Sequence, residues 1–179
     1  MTGRSPHCRN AISCVARRSG ARFEAVRDTS EYTLSPFALA LLTELRKWTA
    51  NLTPTTVAVR EEHNVNYGGL LFEVRPVEPD TIALTVGLGI SDEIDFFWGE
   101  QYRWENWTAT AREVLEVCEA IQKGDVIEET WMIGPLVVER RCYIILGNER
   151  VGDGSPPMPR WLKQRARPSV RRYSPWPVT

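Results

Sequence analysis

The residues with most chemical capacity in this chain are carboxylates crowded into short spans. Asp92, Glu93 and Asp95 bunch together, Glu100 follows, and Glu61, Glu62 and Glu73 are spaced to lie on neighbouring strands. Hard cations bind such oxygens, and paired carboxylates can act as general acid and base. A metal-dependent hydrolase using the acidic loop is therefore one expectation. Against it, the lysines of the acidic body are Lys47 and Lys123, both on helical segments rather than beside the acids. The calcium-loop spacing is absent too. A solvated loop accounts for the same residues, so no catalytic or metal-ligating residue is assigned.

Nucleophilic chemistry has little material. No serine sits in a GxSxG elbow, and two histidines leave little for a triad. Cys8, Cys14, Cys118 and Cys142 form no CxxC pair. His7, Cys8 and Cys14 would supply three metal ligands, one short of a tetrahedral structural site. Cys118 falls on the apolar face of an expected helix and Cys142 inside an expected strand, and both read as small buried hydrophobes. Gly87-Leu88-Gly89 lacks a third glycine and joins two strands, so no helix start aims amides at a phosphate. No cofactor is expected.

The segment from Trp98 to Trp107 places Trp98, Tyr102, Trp104 and Trp107 among Glu100, Arg103 and Glu105. Its rings can close one end of the core, which is the preferred reading. The same residue types dominate binding hot spots. The competing reading is a partner surface, with Trp104 or Trp107 anchoring beside Asp92, Glu93, Asp95 and Glu100.

Two helices must position these groups. Ser35-Pro36 is a helix start, followed by Phe37, Ala38, Leu41, Leu42, Leu45 and Trp48 at helical spacing, and the helix ends before Pro54. Thr110-x-x-Glu113 is a capping box, Val114, Leu115, Val117, Cys118 and Ile121 form the buried stripe, and Gly124 supplies the exit. Strands are expected at Thr55–Glu61, after Asn66-Tyr67-Gly68-Gly69 up to Pro76, and in two stripes, Ile82 to Leu88 and Ile94 to Trp98. Burial selects Leu84 opposite Trp98, Val86 opposite Phe96 and Leu88 opposite Ile94. A last hairpin turns at Gly134-Pro135, pairing Ile133 with Leu136, Met132 with Val137 and Trp131 with Val138. Continued, that register sets Glu129 against Arg140 and Glu128 against Arg141.

Charge is sorted along the chain: net +5 over residues 1–27, −12 over 28–149 and +6 over 150–179. Residues 1–30 are expected as a disordered basic arm, 31–149 as a single α+β domain, and 150–179 as a disordered Pro/Arg-rich tail. In that tail Trp161, Tyr173 and Trp176 hint at docking on the body. The expected fold is a mostly antiparallel sheet of about six strands, with two amphipathic helices packed on one face. No run reaches the length of a membrane span. AISCVA is too short for a signal peptide core and is followed by Arg17 and Arg18, so the cytoplasm is expected.

In broad type the body resembles the small acidic α+β proteins that bacteria use as immunity or antitoxin partners, a likeness of class without matched motifs. The leading expectation is thus a non-enzymatic module whose acidic face binds a basic protein. Nucleic-acid binding through the basic arms is the alternative, since Arg160-Trp161 and Arg171-Arg172-Tyr173 can contact phosphate and stack on bases.

Overall fold

A computed structural model describes residues 33–64, 68–99, 101–154 and 159–177. The expected N-terminal arm, the His7, Cys8 and Cys14 set, and Glu100 lie outside the described residues.

Helix α1 (Pro36–Thr49) starts as its sequence dictates: the Ser35 hydroxyl accepts the Ala38 N–H at 3.0 Å and Pro36 occupies the first turn. Its stripe buries Ala38, Leu41, Leu42 and Leu45, each leucine contributing roughly 1.5–3 kcal/mol. Helix α2 (Ala111–Gln122) has the full capping box: Thr110 accepts the Glu113 N–H, and the Glu113 carboxylate accepts the Thr110 N–H at 2.7 Å. Gly124 follows at φ +75°. A third helix, α3 (Arg160–Lys163), is a single turn.

The described strands form two antiparallel sheets. β1 (Val57–Asn64), β2 (Gly69–Pro76), β3 (Leu84–Leu88), β4 (Ile94–Trp98) and β5 (Tyr102–Trp107) follow one another as a meander. The second sheet contains β6 (Val126–Ile133), β7 (Leu136–Leu146), β8 (Glu149–Gly154) and β9 (Arg167–Arg172), in the order β8-β7-β6-β9. The fold is α+β, as expected, but with two sheets rather than one of about six strands. Instead of two helices covering one face of one sheet, α1, α2 and both sheets share a continuous core: Leu41 and Leu45, Val117 and Ile121, Phe72, Val86 and Phe96, and Val126, Cys142 and Ile144 all belong to it.

The β3–β4 register is as expected, with Leu84 opposite Trp98, Val86 opposite Phe96 and Leu88 opposite Ile94. The β6–β7 hairpin departs from expectation beyond its turn. Ile133 faces Leu136 and Met132 faces Val137, but a bulge then sets Trp131 opposite Glu139, Glu129 opposite Arg141 and Glu128 opposite Cys142. Core burial explains the shift. The bulged ladder puts Val126 opposite Ile144, and both are buried with Cys142. The charges re-pair around it: Arg140 lies 3.6 Å from Glu128, Arg150 lies 3.7 Å from Glu129, and Arg141 pairs with the buried Glu139.

Two further corrections concern missed strands. The Trp98–Trp107 segment contains β5, with Trp104 opposite Phe96 and Tyr102 opposite Trp98. The stretch expected as a disordered tail contains β8 and β9, which occupy the two edges of the second sheet. Every described residue of β9 is exposed, so its order comes from ladder hydrogen bonds to β6 and not from an apolar stripe. Beyond it the chain returns to the core. Trp176 is buried against Trp48, ring centroids 5.8 Å apart, and its main-chain N–H donates to Gln122 O at 2.8 Å.

Candidate interaction surface

The β3–β4 connection carries the acids first singled out. Asp92 and Glu93 are exposed there and enter no ion pair among the described residues. Asp95, on β4, is already employed. Its Oδ1 accepts the Asn106 N–H at 2.8 Å and holds Asn106 at φ +53°, where the β4–β5 register shifts. The other acids read as a possible cluster are paired elsewhere: Glu61 receives two hydrogen bonds from Arg46 at 2.8 and 2.6 Å, Glu62 lies 3.0 Å from Arg60, and Glu73 lies 2.6 Å from Arg75. Among the described residues, no group of three His, Cys, Asp or Glu side chains is placed to hold a metal.

Trp104 and Trp107 are partly buried and packed on the core. Trp104 lies 4.7 Å from Trp98 and 5.0 Å from Trp107, while Trp107 meets Phe96 edge-on at 6.0 Å. These rings close the end of the first sheet, on the face opposite Asp95, since neighbours along a strand point to opposite sides. The structure thus separates the tryptophans from Asp95 instead of gathering them into one patch.

Sequence reasoning missed the apolar group that does accompany the acids. Ile90, two residues before Asp92, is 75% exposed. The Ser35 N–H donates to Gly89 O at 3.0 Å, fastening the start of α1 to this connection, and Leu39, one turn into the helix, is 53% exposed. The Gly89–Glu93 connection therefore presents an exposed isoleucine together with two carboxylates that enter no ion pair among the described residues. The signal lay in the period-two stripe itself: Ile90 continues Ile82, Leu84, Val86 and Leu88 in phase, one step past the end of the strand at Leu88.

A basic surface lies along α3 and β9. Arg160, Arg165, Arg167 and Arg172 enter no ion pair among the described residues, and Trp161 is 62% exposed. Lys163 stands 4.4 Å over the Trp131 ring, and Arg171 lies 3.3 Å from Asp80.

No family model, no curated protein and no solved structure matches the chain. Among the described residues, no helix is long and apolar enough to cross a membrane.

Proposed function

We propose that this chain is a non-enzymatic protein-binding module, and that the tip around Gly89–Glu93 engages a basic protein, in the manner of an immunity or antitoxin partner. The observation that carries the reading is Ile90: an isoleucine 75% exposed, beside Asp92 and Glu93 that enter no ion pair among the described residues, has no role in the core. An apolar anchor followed by two charges of one sign suits a partner with an apolar pocket beside basic groups. The anchor contributes burial, and the charges speed encounter and select the partner. In this reading Trp104 and Trp107 stiffen the support behind the tip rather than entering the interface.

The test is a comparison of affinity captures from native lysate at low and high salt, using the intact chain and an I90S/D92N/E93Q variant. A basic protein retained by the intact chain at low salt, and lost with either the variant or the salt, supports the proposal. Equal retention of every captured protein by the variant removes it.

A second reading, nucleic-acid binding by the α3–β9 surface, is favoured by exposed Trp161 near four arginines that enter no ion pair among the described residues. Its weight is reduced because arginines and a proline such as Pro168 also protect an edge strand from pairing with another chain. Filter binding of a single-stranded oligonucleotide, unchanged in a W161A/R165Q/R167Q variant, would eliminate it.

A further inference from the structure

A cleft of about 540 Å³ opens where the β2–β3 connection, the β4–β5 turn, β6, β7 and β9 converge. Three guanidinium groups line it from three elements: Arg75 from β2, Arg140 from β7 and Arg171 from β9. Tyr102 lines it as well. That side chain is only 6% exposed, and its hydroxyl has no hydrogen-bond partner among the described residues. A buried hydroxyl left without a partner is costly, and native structures rarely tolerate one without a reason. Burial, followed by the negative charge of Glu128, pushes the Tyr102 phenol well above its ordinary range, so the group is a neutral O–H donor at physiological pH.

We propose that this cleft binds a small polar molecule through an oxyanion group, a phosphate or a carboxylate. Its volume falls in the range of small-molecule sites. Arginine is the residue best suited to such groups, because its fork of N–H donors matches two oxygens at once. Two carboxylates line the cleft: Glu128 is committed, accepting the Tyr173 hydroxyl at 2.7 Å and lying 3.6 Å from Arg140, while Glu78 is exposed on the β2–β3 connection, where it can turn to solvent. Arg140 is oriented by donation to Gln101 Oε1 at 2.7 Å, and Arg171 lies 4.7 Å over the Tyr173 ring. Among the described residues, the ion-pair partner of Arg171 is exposed Asp80 at 3.3 Å, a partner it can exchange for a ligand oxygen. The Tyr102 hydroxyl then finds its missing acceptor in the same group. This site uses residues remote in sequence from the Gly89–Glu93 tip, and neither proposal depends on the other.

The experiment is a thermal-shift and calorimetric titration of the full chain with inorganic phosphate and with succinate, at constant ionic strength against chloride. Either anion should raise the melting temperature and bind saturably. A response to phosphate alone assigns a phosphoryl group, and a response to succinate alone a carboxylate. Tyr102→Phe removes an unsatisfied hydroxyl and so should fold at least as stably as the parent, yet bind about tenfold more weakly, as should Arg171→Gln. Undiminished binding in both variants, or no saturable binding of either anion by the parent chain, overturns the proposal.

Discussion

The indole N–H of Trp176 donates to the carbonyl oxygen of Ile82 at 3.0 Å, tying the last described residues to the turn that leads into β3. Ninety-four positions separate the two residues, and Trp176 is 1% exposed with its ring against Trp48. The C-terminal stretch is therefore part of the core it follows. Trp176→Ala should cost about 3–5 kcal/mol, because the cavity has walls on both α1 and the first sheet. Urea denaturation checks this. A cost within experimental error would mean that the segment rests on the body without supporting it.

Gly124 makes that return possible. Its φ is +75°, and a Cβ there would lie 2.7 Å from Pro175 N and 2.8 Å from Tyr173 O. Gly134 has a similar φ of +57° with nothing within 4 Å of a Cβ. Both alanine substitutions incur the left-handed strain of about 1–2 kcal/mol, but only Gly124→Ala also displaces backbone. The Gly124 variant should be measurably the less stable of the two, and equal denaturation midpoints would contradict the close approach.

The capping box of α2 has a pH signature. Hydrogen bonds from the Thr110 main chain and then its side chain hold the Glu113 carboxyl below its ordinary value of 4.5. A lowered folded-state pKa contributes stability that is present above the ordinary value and is lost as pH falls through the folded one. Glu113→Gln should therefore lose stability relative to the parent at neutral pH, and the gap should close on acidification. Thr110→Ala should cost about 1 kcal/mol, read from the same denaturation curves.

Burial pushes the Cys118 thiol far above its ordinary range and the Cys142 thiol up to about 12. In a variant with Cys8 and Cys14 replaced by serine, a thiol reagent should label neither remaining cysteine in the native state and both after denaturation. Rapid native labelling of Cys142 would show that the second sheet opens.

Both long helices and the β3–β4 register were legible because local signals and burial agreed: a cap, a stripe, and one pairing that keeps charge out of the core. The β6–β7 ladder shows where this fails. Its turn was read from Gly134-Pro135 correctly, but the bulge depends on the demand that Val126 face Ile144, set by packing against α2 and the first sheet rather than by the turn. β5 was hidden because its tryptophans suit a lid and a strand equally, and Asn106 interrupts the alternation. β9 was hidden because an edge strand exposed along its whole length needs no apolar pattern. At the candidate site, Asp92 and Glu93 were legible as exposed acids. The structural task of Asp95 and the exposure of Ile90 required the neighbouring strand and α1 to be in place.

The most direct test of the acidic tip places a photo-cross-linking amino acid at Ile90 in one preparation and at Trp161 in another, with irradiation in native lysate. Adducts from position 90 to a basic protein, suppressed by salt, are the predicted result. Adducts confined to position 161, or nucleic acid recovered there and nothing from position 90, would contradict it.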